Sequence, residues 1–351
     1  MKNITENGVY IIGEIGQNHN GSVDIAKLIV ELVSRPVYES DFGLQLRPMD
    51  AVKLTKRDLK EELTATQMNR PYDSPHSFGA TYGAHREFLE LNDEQHFEIY
   101  TYAKSRGLDF VETLCSRGCL SLLRLFTPDF LKVASRDLTN LPLLEAMAET
   151  HIPMILSTGM AGKKELDDAL NVITRSHSHI SILHCVSQYP THPDNLNLKT
   201  ITYLQKHYGQ YTIGFSDHTI GISAPVVAVG MGAQVIEKHI TIDRNMKGTD
   251  QAGSLGPDGV FRMVRDIRVA EKWMGVEDIY IEKEVASAKV KLERSIATKV
   301  ALQPGDVLKE EHFHLLSPGD GYKWSEKDHL IGKTVVKAIP ENELIYPDCI
   351  N

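Results

Sequence analysis

Cysteine is scarce in this chain. Its 351 residues include only Cys115, Cys119, Cys185 and Cys349. Four cysteines in so long a chain make no disulfide framework. Cys115 and Cys119 are spaced too widely for a CxxC pair, and no second pair completes a zinc site. Reduced thiols in a cytoplasmic protein are the expectation. Long apolar runs are also missing. The opening stretch MKNITENGVYIIGEIG is broken by Glu14 and has no extended hydrophobic region. Neither a signal peptide nor a membrane span is expected. Positive charge is not in excess, with 38 Lys and Arg against 47 Asp and Glu and a formal net charge of −9. A general nucleic-acid binder needs a basic face, so that class is set aside. Small anionic substrates remain open, because a cationic pocket can sit inside an acidic protein. Finally, GEIGQNHNG lacks the GxGxxG spacing, which counts against a dinucleotide site after the first strand.

What is present is regular. A hydrophobic fraction of 42% and a charged fraction of 24% are ordinary for a globular protein. The length predicts one large domain with a smaller one, or one very large one. Short β-rich runs alternate with amphipathic runs. Strands are expected at 9–15, 49–54, 108–114, 130–135, 153–159, 180–186, 211–217 and 234–240. Helical patterns follow most of them. The run 22–34 is capped by Ser22, and 93–107 takes Asp93 as cap and Gly107 as stop. RGCLSLLRLF also reads as a helix. Eight strand–helix units over about 275 residues fit a (β/α)₈ barrel, with a doubly wound open sheet as runner-up.

Two stretches fit no regular pattern, 35–48 and 64–91. The second is rich in Pro, Gly and aromatics, the composition of an ordered active-site wall or lid. Beyond Gly275 the chain turns charged and then β-rich, with a turn at Pro304-Gly305. The division expected is a barrel at 1–280, a linker at 281–290 and a small β-rich domain at 291–351.

In such a barrel the C-terminal ends of the strands share one mouth, where the active site lies. The polar residues there include Glu14, Lys53, Thr113, Lys132, Ser135, Ser157, Ser187, Tyr189, Ser216, His218, Glu237, His239 and, in the loop beyond, Asp250. Lys53 and Lys132 stand inside otherwise apolar strand patterns. Burying an ammonium is costly without an anion, so the pair with the neighbouring serines describes a phosphate or carboxylate pocket. His218 and His239 end consecutive strands, and two imidazoles so placed can converge on one divalent ion. A third protein ligand is not evident. Lys56, Arg57, Arg70 and Arg86 lie in or near the long loop and either bind a phosphate or are simply solvated.

The motifs IGEIGQNHNGS, AVKLTKRD, LKVAS, ILSTGM, HCVSQYPT, GFSDHTIG, VIEKHITIDRNMKGTDQAGSL and LERSIATKVALQPGDVL, in that order, resemble the sialic acid synthase (N-acetylneuraminate synthase) family. The resemblance covers nearly the whole chain. It implies a TIM barrel followed by a β-rich antifreeze-like (SAF) domain. It also implies condensation of phosphoenolpyruvate with an N-acetylmannosamine-type aldose, with release of phosphate. A divalent metal is implied, Mn²⁺ first and Mg²⁺ or Co²⁺ as alternatives, as is a domain-swapped homodimer. Position by position, the resemblance makes His218 and His239 metal ligands and Glu14 the acid near the reacting carbons. Lys53, Thr113, Lys132, Ser135, Ser157 and Ser216 become phosphoenolpyruvate groups. Tyr189, Ser187, Asp250 and Arg294 fall on the sugar side, with Arg294 reaching a partner subunit's site. The sequence departs from the family at Thr55 and Ser187, where Gln and Asn are usual, and at the longer run 35–48. The departures at Thr55 and Ser187 bear on the sugar rather than on the reaction. Two other readings stay open: a Schiff-base pyruvate aldolase using Lys53 or Lys132, and a non-catalytic sugar-binding relative.

Overall fold

A computed structural model describes residues 4–351. The chain divides into two compact units after Gly275. In the first, eight parallel strands close into a barrel: β1 Tyr10–Gly16, β2 Ala51–Lys56, β3 Asp109–Leu114, β4 Phe130–Val133, β5 Met154–Ser157, β6 Ile180–Cys185, β7 Thr212–Asp217 and β8 Val235–His239. They pair in chain order, and β8 closes onto β1 through partners running from Tyr10–Val235 to Glu14–His239. That closure rules out the open doubly wound sheet. The principal helices around the barrel are α1 Val23–Ser34, α2 Tyr82–Leu89, α3 Asp93–Ser105, α4 Leu141–Ala148, α5 Lys163–Ile173, α6 Lys199–Tyr208, α7 Ser223–Gly230 and α8 Pro257–Trp273.

Strand alternation explains both cores. Tyr10, Ile12, Ala51, Val111, Phe130, Ile155, Leu183 and Val235 form one apolar cluster inside the barrel. The residues between them along the strands, such as Ile11, Val52, Phe110, Leu131, Leu156, Ile182 and Ile236, pack outward with the helices. Two residues beyond the inner layer, on the same face, stand Glu14, Lys53, Thr113, Lys132, Ser157, Cys185 and Glu237. Each strand's period of two therefore lifts an apolar floor into a polar ceiling.

Several local expectations change. The cap of α3 is Asn92, not Asp93. Its side chain accepts from Gln95 N at 2.8 Å, and its own N–H donates to Gln95 Oε1 at 2.9 Å. The box needs an acidic or amide side chain three residues on, which Gln95 supplies. Residues 118–124 form 3₁₀ turns instead of an α-helix, the tighter form used where only a short run is available. The stretch 35–48 holds a hairpin, Val37–Glu39 against Leu44–Leu46, in which only Val37 and Leu46 are buried. Strands of three residues are too short to show a period. The stretch 64–91 is partly helical, with a turn at Ala65–Met68 and then α2, capped by Thr81.

In the second unit, β9 Ser295–Thr298 pairs antiparallel with β10 Phe313–Leu316. Ile296, Leu302, Leu308, Phe313, Leu330, Val335, Ile339, Ile345 and Ile350 make its own core. The charged stretch before it carries an exposed helix, Ala286–Leu292. Among the described residues no helix is long and apolar enough to cross a membrane.

Candidate active site

A cavity of about 480 Å³ opens at the C-terminal end of the barrel. It is lined by Glu14, Lys53, Thr113, Lys132, Ser135, Ser157, Ser187, Tyr189, Ser216, His218, His239 and Asp250. Of the thirteen chosen site residues only Arg294 is missing, an exposed residue of the second unit just before β9. Of the four basic residues in or near the long loop, Arg57 and Arg86 line the cavity and Lys56 and Arg70 do not.

At the floor, two lysines and two carboxylates form a buried quartet. Lys53 pairs with Glu14 and stands 3.8 Å from Glu237, and Lys132 stands 3.9 Å from Glu237. Lys53 donates to Thr113 Oγ1 at 3.1 Å, and Lys132 to Ser157 Oγ at 2.7 Å. Ser216 Oγ donates to Glu237 Oε1 at 3.0 Å, while Glu237 Oε2 has no hydrogen-bond partner. Burial sets the ionisation of the group. It pushes Glu14 up to about 7, with Lys53 only partly opposing it. Burial would raise Glu237 as well, but Lys132 and Lys53 together outweigh it and hold that carboxyl low. Burial lowers Lys132, and Glu237 offsets part of the effect. Lys53 feels the same burial, yet Glu14 and Glu237 keep it above the usual lysine range. Glu237 stood among the strand-end residues of the sequence but not among its chosen site residues. Its parity with Val235 was the signal that it faces inward.

Ser135 lies in the turn after β4 rather than in the strand, and its Oγ accepts from Gly159 N at 3.0 Å. A Cβ on Gly159 would lie 2.4 Å from Ser187 Oγ and 2.8 Å from both Ser135 Oγ and Cys185 Sγ. Gly159 thus keeps a small polar cradle open.

His218 and His239 face each other with ring centroids 5.5 Å apart. His218 Nδ1 is 2.9 Å from Val186 O. A carbonyl only accepts, so Nδ1 is the donor in this contact and Nε2 is left for another partner. His239 Nδ1 is buried with no hydrogen-bond partner, and burial lowers its pKa, keeping the ring neutral. Two imidazoles on one cavity wall, one of them with a buried and unpartnered nitrogen, fit a divalent transition ion. Among the described residues no group of three or more His, Cys, Asp and Glu is clustered for a metal. Tyr189 covers them, its ring 4.0 Å from His218.

Residues outside the sequence's chosen set complete the rim: Gln17, Arg57, Tyr72, Tyr82, His85, Arg86 and Arg136. Most come from the stretch whose fold the sequence left unassigned.

Residues 47–278 match the model of the NeuB family, and residues 293–351 that of the SAF domain. The chain is 31% identical to the N-acetylneuraminate-9-phosphate synthase of Homo sapiens, over 97% of this chain and 92% of that protein. It is also 31% identical to the N,N'-diacetyllegionaminic acid synthase of Campylobacter jejuni, over 95% and 98%. Among solved structures, the N-acetylneuraminic acid synthetase of Leptospira borgpetersenii superposes with a TM-score of 0.67 at 28% identity, covering 80% of this chain and 90% of that one. With the barrel and the terminal unit both matched, the chain belongs to the NeuB family of sialic acid synthases and carries a C-terminal SAF domain.

Proposed function

We propose that this protein condenses phosphoenolpyruvate with an open-chain N-acetylmannosamine-type aldose, giving a nonulosonate and inorganic phosphate. The observation that carries the reading is the buried quartet beside the imidazole pair. Two ammonium groups and three serine hydroxyls occur in a cavity that also holds two imidazoles, one with a buried, unpartnered nitrogen. Lys53 and Lys132 are placed for the carboxylate and phosphate of the enol, with Thr113, Ser135, Ser157 and Ser216 supplying hydroxyl donors. Held so, C3 of the enol is aimed at the aldehyde carbon. The new C–C bond leaves a cationic centre at C2. Glu14, paired with Lys53 until the anion arrives, is the carboxylate available to stabilise that centre or to take the proton of the water that adds there. Collapse of the adduct expels phosphate. A divalent ion, Mn²⁺ in the first instance, held by His218 and His239 would supply Lewis-acid polarisation of the aldehyde oxygen. Tyr189, Ser187 and Asp250 line the side left for the sugar. Arg294 joins the same proposal as a residue offered to the site of a second copy in a homodimer.

The test is phosphate release from phosphoenolpyruvate across a panel of aldoses, with the product identified by mass. Chelation should abolish turnover and Mn²⁺ should restore it; full activity in the stripped protein would remove the metal from the reading. A second reading rests on Lys132, a buried amine lining the cavity whose burial works against its charged form, as a Schiff-base amine needs. Borohydride with pyruvate would trap that adduct, and its formation would favour the aldolase.

A further inference from the structure

Five cationic side chains line the cavity: Lys53, Arg57, Arg86, Lys132 and Arg136. Four already have carboxylate partners. Lys53 and Lys132 belong to the quartet. Arg57 pairs with Glu62 and reaches Glu90 at 3.6 Å. Arg136 lies 3.2 Å from Asp137 and 3.4 Å from Glu62. Among the described residues, Arg86 forms no ion pair. Its Nε donates to Tyr82 Oη at 2.9 Å, and its Nη1 donates to Gln17 Oε1. Both partners are neutral, so they orient the guanidinium without compensating its charge.

Gln17 is the second observation. It is only 8% exposed, and its Nε2 is buried with no hydrogen-bond partner. The contact with Arg86 fixes which end of the amide is oxygen, so a free N–H₂ donor is left at the same cavity wall. A half-buried uncompensated cation beside an unused buried donor is a costly arrangement in the absence of a ligand. An acceptor-only anion resolves both at once. A sugar hydroxyl or N-acyl carbonyl would satisfy the amide but leave the positive charge. A phosphate monoester supplies two charges and three acceptor oxygens, matching a guanidinium fork.

We infer that Arg86 and Gln17 form a phosphate subsite for the acceptor, so that the aldose used is a phosphorylated one and the product leaves as a phosphorylated nonulosonate. The inference rests on the condensation proposed above. Arg86 belongs to α2, beyond the barrel strands, whereas the quartet lies at the floor. The aldose therefore spans from the imidazoles, where its aldehyde reacts, to the rim, where its far end carries the ester.

The experiment uses the full chain with phosphoenolpyruvate, Mn²⁺ and either N-acetylmannosamine or its 6-phosphate. The phosphorylated sugar should have the higher kcat/KM by about 100-fold, the scale of two charge-assisted hydrogen bonds. Arg86→Gln should collapse that ratio, mainly through KM for the phosphorylated sugar, and Arg86→Lys should restore part of it. Gln17→Glu should collapse it too, by placing a carboxylate against an intact Arg86. Equal or better use of the unphosphorylated sugar, or a ratio unchanged in both Arg86→Gln and Gln17→Glu, overturns the subsite while leaving the condensation standing. No consumption of phosphoenolpyruvate with any aldose overturns the condensation itself.

Discussion

Glu14 and Lys53 face each other across adjoining strands at a matched register position. Burial favours the protonated acid and the ammonium favours the carboxylate. Because the balance leaves Glu14 at about 7, its charge changes near neutral pH. If the carboxylate stabilises the cationic carbon, kcat/KM should rise with pH through about 7, because below it Glu14 is protonated and gives no countercharge. Glu14→Gln should lose that limb while any limb due to phosphoenolpyruvate itself persists. An unchanged profile in the variant would remove Glu14 from proton handling. Gly159 makes a separate residue-scale prediction. The three atoms that a Cβ would meet end side chains that can rotate, so Gly159→Ala should fold. The rotation takes the Ser135 hydroxyl out of position, so KM for phosphoenolpyruvate should rise about 10-fold or more. A KM equal to the parent's would show that the cradle is not part of the anion site.

At the scale of elements, β7 and β8 are tied on both faces just before their histidines. Inside, Ser216 bonds Glu237. Outside, Asp217 and Lys238 are register partners and form an ion pair at 2.6 Å, both almost wholly buried. Asp217 also accepts from Thr219 N at 2.8 Å, and Lys238 donates to Thr219 O. The turn that carries His218 is therefore anchored to the strand that carries His239. Removing one partner leaves a buried charge, so Lys238→Met should cost about 3–5 kcal/mol of unfolding free energy. Adding Asp217→Leu should return much of that stability, since an apolar pair packs in the same place. Mn²⁺ affinity should stay about 10–100-fold weaker in the double variant, because the tether that spaces the imidazoles is gone. Parental Mn²⁺ affinity in the double variant would reduce the pair to a packing role. Elements also mark where sequence and structure part. The strands were legible because alternation and apolar runs are local signals. Helix α2 was not, because its flanks hold Pro, Gly and aromatics whose order comes from packing, such as Tyr72 against His85 at 4.7 Å.

For the molecule as a whole, each unit owns a core. The residues buried in the second unit come from that unit alone. A segment of 276–351 made by itself should give dispersed amide resonances and a cooperative melt. Its size places it near the lower limit for independent folding, so its stability should be modest. A collapsed spectrum would show that its core needs the rest of the chain.

The sequence by itself determined where the eight strands fall and which polar residues stand at their ends, and it favoured a barrel over an open sheet. Those are consequences of local strand patterns and of helical runs that follow most of the strands, whereas the closure of β8 onto β1 is tertiary. Twelve of the thirteen site residues it named line one cavity. Tertiary structure alone decided how those residues are paired and charged. The Lys53, Lys132, Glu14 and Glu237 quartet joins positions up to 223 residues apart, and its pKa shifts come from burial and from charges brought together in space, neither of which a local pattern encodes. The pairing of Arg86 with Gln17, and the carboxylate that Arg86 lacks, are likewise set by packing between β1's loop and α2. Charge compensation is a property of neighbours in space, so it became visible only when the chain closed on itself.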